Sequence, residues 1–224
     1  MRLRINLTHP TQDVPVNNQH QMNGFIYAIL GNDNPYHDSV SDYSISSLQG
    51  GKLKEDKLTL SFEESNPYFY VASQNSTFIG DFILGTKREN ISVFGMKIDN
   101  IDITHDFRPH DYCDDIITIS PILIRGKDNR KIQFDSPEWI VEIMRNCTGK
   151  LRHQGIEDKT FRIELVATGK AKRKCVWVGD VFNPCSSVRL RVYGKKKTRE
   201  ALYNLGIGNS TGSGFGAVKI YGNK

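Results

Sequence analysis

The sequence predicts an α+β protein built as two tandem units, each running strand, helix, strands, helix, strand. Three observations carry this prediction. Apolar residues alternate over short runs, they recur at helical spacing in four segments, and the two patterns succeed one another twice along 224 residues. Apolar content of 38% beside 25% charged residues fits a globular chain and argues against wholesale disorder.

The first unit opens on a strand at 2–7, with Leu3, Ile5 and Leu7 on one face. Residues 18–31 read as a helix, because Met22, Phe25, Ile26, Ile29 and Leu30 fall at i, i+3, i+4, i+7 and i+8. Strands are predicted at 43–48, 58–62 and 68–72. A second helix follows at 77–84 with Phe78, Ile79, Phe82 and Ile83 inward, then a strand at 92–103.

The second unit repeats the order. An apolar strand at 116–125 is interrupted by Pro121, which predicts an edge or a bulge. A helix at 136–146 is expected to start with Ser136 as its N-cap, Pro137 at the first position and Glu138 in the first turn. Strands at 161–167, 174–178 and 188–193, a short helix at 198–205 and a strand at 217–221 complete it. Two βαββαβ units imply two ferredoxin-like domains. The polar stretch 110–115 sets the expected division at 1–112 and 113–224, with no low-complexity linker between them.

Charge separates the halves. Residues 161–224 hold 13 Lys and Arg against three acids, whereas the whole chain carries only +5. Such asymmetry points to a polyanionic partner on the C-terminal part. Lys170, Lys172 and Lys174 repeat with period two beside Arg173, as do Arg189 and Arg191, so one basic sheet face is expected. No apolar run is long enough for a spanning helix or a signal peptide. The four cysteines show no CxxC spacing, and His105, His110, Cys113 and Asp114 fit no standard zinc motif. A cytoplasmic protein with reduced thiols, no metal and no cofactor is the expectation.

The most specific motif lies near the end. Gly206-Ile207-Gly208, five residues, then Gly214-Phe215-Gly216 encloses Gly212 and Ser213. Glycines allow positive φ and close approach to a ligand, and successive exposed N–H groups form an anion-binding concavity. A nucleotide P-loop is excluded, because the motif lacks GK[ST] and follows a helix rather than opening one.

This paired GΦG loop resembles the C-terminal signature of the RAMP superfamily. The opening strand, the segment 14–30 that holds the first helix, the NPYHD segment at 34–38 and the ISPILIR segment narrow the resemblance to CRISPR-associated endoribonucleases that cut repeat-containing precursor RNA. The resemblance implies metal-independent cleavage: a ribose 2′-hydroxyl attacks the adjacent phosphate, leaving a 2′,3′-cyclic phosphate and a 5′-hydroxyl. It further implies Tyr27 and His37 as proton-handling residues and CRISPR repeat RNA as partner, with other CRISPR effector subunits and a homodimer as further expectations. The helix geometry independently turns His20, Gly24 and Tyr27 away from the apolar stripe. His20 competes as the acid or base. Relatives often carry a lysine soon after the histidine; here the first are Lys52 and Lys54, which would supply a cation only if their loop folds back. A non-catalytic RAMP-type RNA-binding subunit, and a ferredoxin-like metabolite sensor or metabolic enzyme, are the alternative readings.

Overall fold

Leu3, Ile5 and Leu7 alternate along the first strand, and all three are fully buried in the computed structural model. The structure describes residues 1–31, 34–36, 41–104, 107–126, 128–166 and 171–222. Strand β1 (Arg2–Leu7) is followed by β2 (Val14–Pro15), helix α1 (Gln19–Leu30), β3 (Tyr43–Ile45), β4 (Lys52–Leu53), β5 (Thr59–Ser61), β6 (Tyr68–Ser73), α2 (Ser76–Gly85) and β7 (Ile98–Thr104). The main sheet runs β3-β6-β1-β7, and β2, β5 and β4 form a small sheet beside it. Met22, Phe25, Ile26 and Ile29 of α1 meet Phe78 and Phe82 of α2 over Leu3, Ile5 and Phe69. Asn75 caps α2, its side chain accepting from Thr77 N at 2.9 Å and Phe78 N at 3.3 Å.

The second half gives β8 (Cys113–Thr118), β9 (Ile124–Arg125), β10 (Lys131–Ile132), α3 (Trp139–His153), β11 (Arg162–Val166), β12 (Lys172–Val178), β13 (Val181–Ser187), β14 (Arg189–Tyr193), α4 (Lys196–Leu205) and β15 (Val218–Ile220). Its main sheet runs β11-β14-β8-β15. In both main sheets the first strand of the unit lies between the third and the fourth, and all neighbours are antiparallel. This is the tandem ferredoxin-like arrangement. No described helix is long and apolar enough to cross a membrane.

The units are fastened together through polar contacts as well as packing. Arg2, 3% exposed, donates to Val218 O at 2.9 Å. Its guanidinium also lies 4.3 Å from the Tyr70 ring centre and 4.6 Å from that of Tyr203. Ser44 Oγ donates to Asn204 O at 2.8 Å, and Thr211 Oγ1 donates to Tyr43 O at 3.1 Å.

Five expectations are corrected. Ser136 does not cap α3: the helix begins at Trp139, and Ser136 instead contributes a carbonyl that accepts from Trp139 N at 3.1 Å. The helix also runs on to His153, because Cys147, Lys150 and Leu151 prolong the buried stripe. The strand expected from 92 starts only at Ile98, since Phe94 and Gly95 take positive φ in a turn where Val93 and Met96 pair. β13 was not expected at all; Asn183-Pro184 masks its alternation, and Pro184 is tolerated in a two-stranded hairpin. At Pro121 the interruption takes the form of a break, separating β8 from β9.

Candidate active site

Helix α1 buries Met22, Phe25, Ile26 and Ile29, which leaves His20, Asn23, Gly24 and Tyr27 on the side away from its own core. These four line a cleft of about 440 Å³ whose other wall comes from the C-terminal unit: Arg125, Val178, Val181, Ser210, Ser213 and Phe215 among others. An adjoining groove of about 840 Å³ shares Tyr27, Arg125, Ser210 and Ser213. It adds Tyr36, Tyr43, Arg145, Lys150 and His153. Tyr27 therefore stands where two grooves meet. One turn earlier, a Cβ at Gly24 would meet nothing within 4 Å, so the helix surface there is open to a strand of ligand.

The neighbouring groups are held in defined charge states. Burial, then the nearby Tyr27, pushes the Tyr43 phenol up to about 12, and its ring stacks on Phe78 at 4.1 Å. Tyr36 is pushed up to about 12 by partial desolvation and by its hydrogen bond to Asp81 Oδ2 at 2.6 Å. Both phenols stay neutral near pH 7, so neither accepts a proton from a substrate there. Burial lowers Lys150 to about 8. Its ammonium donates to Leu205 O at 3.3 Å, Gly206 O at 3.2 Å and Thr211 Oγ1 at 3.1 Å, where it offsets the carbonyl-rich end of α4.

The glycine loop is packed largely inward. Gly206, Gly208, Gly212, Gly214, Phe215 and Gly216 are all buried, and only Asn209, Ser210 and Ser213 are partly exposed. Gly216 (φ +62°) has no room for a side chain, since a Cβ would sit 1.8 Å from Ile207 O. A Cβ at Gly212 would lie 2.7 Å from the Tyr43 ring, and one at Gly214 would lie 2.0 Å from Gln19 Nε2. Several amides are spent internally: Ile207 N donates to Gly216 O at 2.8 Å, Asn209 N to Leu123 O at 2.8 Å and Gly216 N to Pro121 O at 3.0 Å. The glycines pack closely within the C-terminal unit and against the first unit, and the loop reaches the cleft through Ser210, Ser213 and Phe215.

The single basic face is also corrected. Lys172, Arg173 and Lys174 stand on the β12–β13 hairpin, a sheet separate from the one that carries Arg189 and Arg191. Those two arginines converge on Asp115, at 2.5 Å and 2.7 Å, and hold its carboxyl below the usual range. Arg173 pairs with Asp135, whereas Lys172 and Lys174 are exposed without an ion pair among the described residues. Lys170, His37 and His105 lie outside the described residues. Tyr36 and Ser41, the described residues on either side of 37–40 in the sequence, both line the larger groove with Tyr27. Lys52 pairs with Glu64, and Lys54 pairs with Asp13 at 3.1 Å; neither lines the clefts around Tyr27.

Sequence reasoning missed Arg125, Lys150 and His153. Arg125 closes an apolar run and carried no periodicity of its own; among the described residues its guanidinium makes no ion pair. Lys150 sits on a helix stripe otherwise apolar, a signal that was available. His153 Nε2 lies 3.3 Å from Asp42 Oδ1 across the two units. Among the described residues no three His, Cys, Asp or Glu come together as metal ligands.

The family profile described as CRISPR associated protein Cas6, C-terminal, matches residues 107–220. A search among curated proteins finds no match. Among solved structures, one described as a Cas6-related gene product from Pyrococcus furiosus aligns with TM-score 0.83 at 22% identity, over 100% of this chain and 99% of that one. A RAMP protein described as binding different RNA substrates aligns with TM-score 0.83 at 18% identity, over 98% and 99% of the two chains. A Cas6 product complex aligns with TM-score 0.66 at 12% identity, over 98% of each. At these identities the structural likeness speaks for the fold.

Proposed function

The chain belongs to the Cas6 family of CRISPR-associated proteins, and from that premise we propose that it is a metal-independent endoribonuclease that cuts CRISPR repeat RNA in the cleft at Tyr27. The observation that carries the reading is the meeting, in one cleft between the two units, of a phenol, an arginine and two hydroxyls: Tyr27, Arg125, Ser210 and Ser213.

The chemistry asks little more of the protein. The RNA's own 2′-oxygen forms the new bond to phosphorus while the bond from phosphorus to the 5′-oxygen breaks. One proton leaves the 2′-hydroxyl and one reaches the departing 5′-oxygen. Tyr27 and His37 are assigned to these two transfers, with His20 as the competing group on the same helix face. Arg125 opposes the charge that grows on the phosphoryl oxygens, the role first sought in Lys52 and Lys54. Residues 1–112 supply the proton-handling side chains and residues 113–224 the RNA-docking wall. The repeat RNA is the partner this reading requires, and a further effector subunit or a second copy is not needed to complete the cleft.

A second reading, a non-catalytic RNA-binding subunit, is favoured by one observation: Lys52 and Lys54 are tied to Glu64 and Asp13 away from Tyr27. Incubation with repeat RNA in EDTA separates the two. Cleavage to a 2′,3′-cyclic phosphate and a 5′-hydroxyl supports the nuclease; RNA retained but uncut supports the binding subunit. No retention even at low salt overturns both.

A further inference from the structure

The arginine of the cleft stands on little structure of its own. Arg125 closes β9, a strand of two residues paired with the equally short β10. Ile124 before it is fully buried and is fixed by packing, whereas Arg125 alternates outward to both the cleft and the adjoining groove. A long, freely rotating side chain meets a phosphate in one geometry only when its backbone is held.

That hold comes from Asn209 in the glycine loop. Asn209 N donates to Leu123 O at 2.8 Å, and the two residues pair as an antiparallel bridge. Its side-chain Oδ1 then accepts from Arg125 N at 2.9 Å. The loop backbone does not make this second bond itself. Ser210 takes positive φ (57°), the chain turns away, and Ser210 O is used by Ser213 N at 2.9 Å. The carboxamide therefore adds one rung to the ladder beyond the point where the backbone leaves it. A backbone N–H can only donate, which fixes the amide with its oxygen toward Arg125. Asn209 itself lines the larger groove beside Ser210. One residue thus joins the strand that carries the cation to the loop that carries the hydroxyl.

We propose that Asn209 is a positioning residue of the cleft: its carboxamide sets the backbone of Arg125 against the loop, so that the guanidinium and the Ser210 hydroxyl are presented to the same RNA phosphate. The proposal rests on the reading that Arg125 meets a phosphate of bound RNA. It assigns the polar residue between the two glycine pairs to the geometry of the cation, a role that does not require it to touch the RNA.

The test is a double-mutant cycle between Asn209→Ala and Arg125→Ala in the full chain. Two readouts are taken. One is affinity for a repeat RNA carrying 2′-O-methyl groups throughout, which has no free 2′-hydroxyl and cannot be cut. The other is single-turnover cutting of the ordinary repeat RNA in chelator. Alone, Asn209→Ala is expected to weaken binding about fivefold and to slow cutting about tenfold. In the Arg125→Ala background both effects are expected to shrink below about twofold, because the cation to be positioned is gone. A residue that merely stabilises the fold acts equally in both backgrounds, and that result overturns the proposal. Full affinity and full rate in Asn209→Ala overturn it as well. Should Asn209→Ala lose its cooperative melting transition, Asn209→Ser, whose oxygen sits one bond nearer the backbone, carries the same cycle with the same expectation. The positioning role and the nuclease reading fail separately. Coupled losses of affinity with ordinary repeat RNA left uncut by the unsubstituted protein remove only the nuclease, and normal cutting with uncoupled effects removes only the positioning role.

Discussion

The glycine-rich loop and the β12–β13 hairpin are neighbours around Phe215, yet one is packed inward and the other stands exposed. The loop carries the most conspicuous motif in the sequence and buries it. The hairpin carries a strand that went unrecognised and exposes its cations and the rings of Trp177 and Phe182. The loop's glycines let backbone approach backbone, whereas the hairpin's residues are free to meet something outside the protein. A motif that signals close approach does not say what is approached. Here the glycines pack against the rest of the chain, and the exposed cations lie one element away.

Substituting the same residue type in both regions gives the largest expected contrast. Gly216→Ala places a methyl 1.8 Å from Ile207 O. It is expected to cost more than about 4 kcal/mol, read as loss of the cooperative melting transition. Gly179→Ala at the hairpin tip meets nothing closer than His20 Nδ1 at 3.8 Å. Its only penalty is the positive φ, about 1 kcal/mol. Equal effects would break the comparison.

The arginines sharpen it from another direction. Arg199 and Asp114 form a buried pair at 2.6 Å, 2% and 1% exposed, and Arg199 also donates to His110 O at 2.7 Å. Arg199→Leu strands the Asp114 carboxylate and is expected to cost about 3–5 kcal/mol in denaturant unfolding. The salt dependence of RNA binding by the folded fraction should not move, because this base is committed inward.

Lys150 supports the base of the loop, and its titration provides a third check. Its value of about 8 lies below the ordinary 10.5, so the folded chain binds fewer protons than the unfolded chain between those limits. Stability from this group therefore rises as pH climbs through that interval, on the order of 2 kcal/mol from pH 8 to 10. Lys150→Met is expected to abolish that rise relative to the unsubstituted protein in paired unfolding titrations. A smaller effect is expected on the hairpin, where Lys172→Ala with Lys174→Ala removes two exposed cations. RNA affinity should drop several-fold and the logarithmic salt slope should fall by about 1.4, with stability unchanged to within about 0.5 kcal/mol.

Much of the fold was legible because one face of each element is apolar and the other is not. The stripe of α1 both placed the helix and turned Tyr27 outward, and repetition of the order revealed the two units. The site was less legible, since it is assembled from elements far apart in sequence: Tyr27 from the first helix, Arg125 from a two-residue strand, Ser210 from the loop. Charge counting also misled. It registers Arg189 and Arg191 as available, whereas pairing geometry, visible only in three dimensions, assigns both to Asp115. The Ser136 cap failed for a related reason, as a valid local signal was outweighed by a turn that delays the helix to Trp139.

The account depends most on Tyr27 taking part in bond cleavage rather than merely lining a binding groove. Single-turnover cutting of repeat RNA by Tyr27→Phe, at protein concentrations that saturate the RNA and with chelator present, tests this directly. The expected result is a rate lowered about 100-fold or more with affinity retained. An undiminished rate would contradict the account.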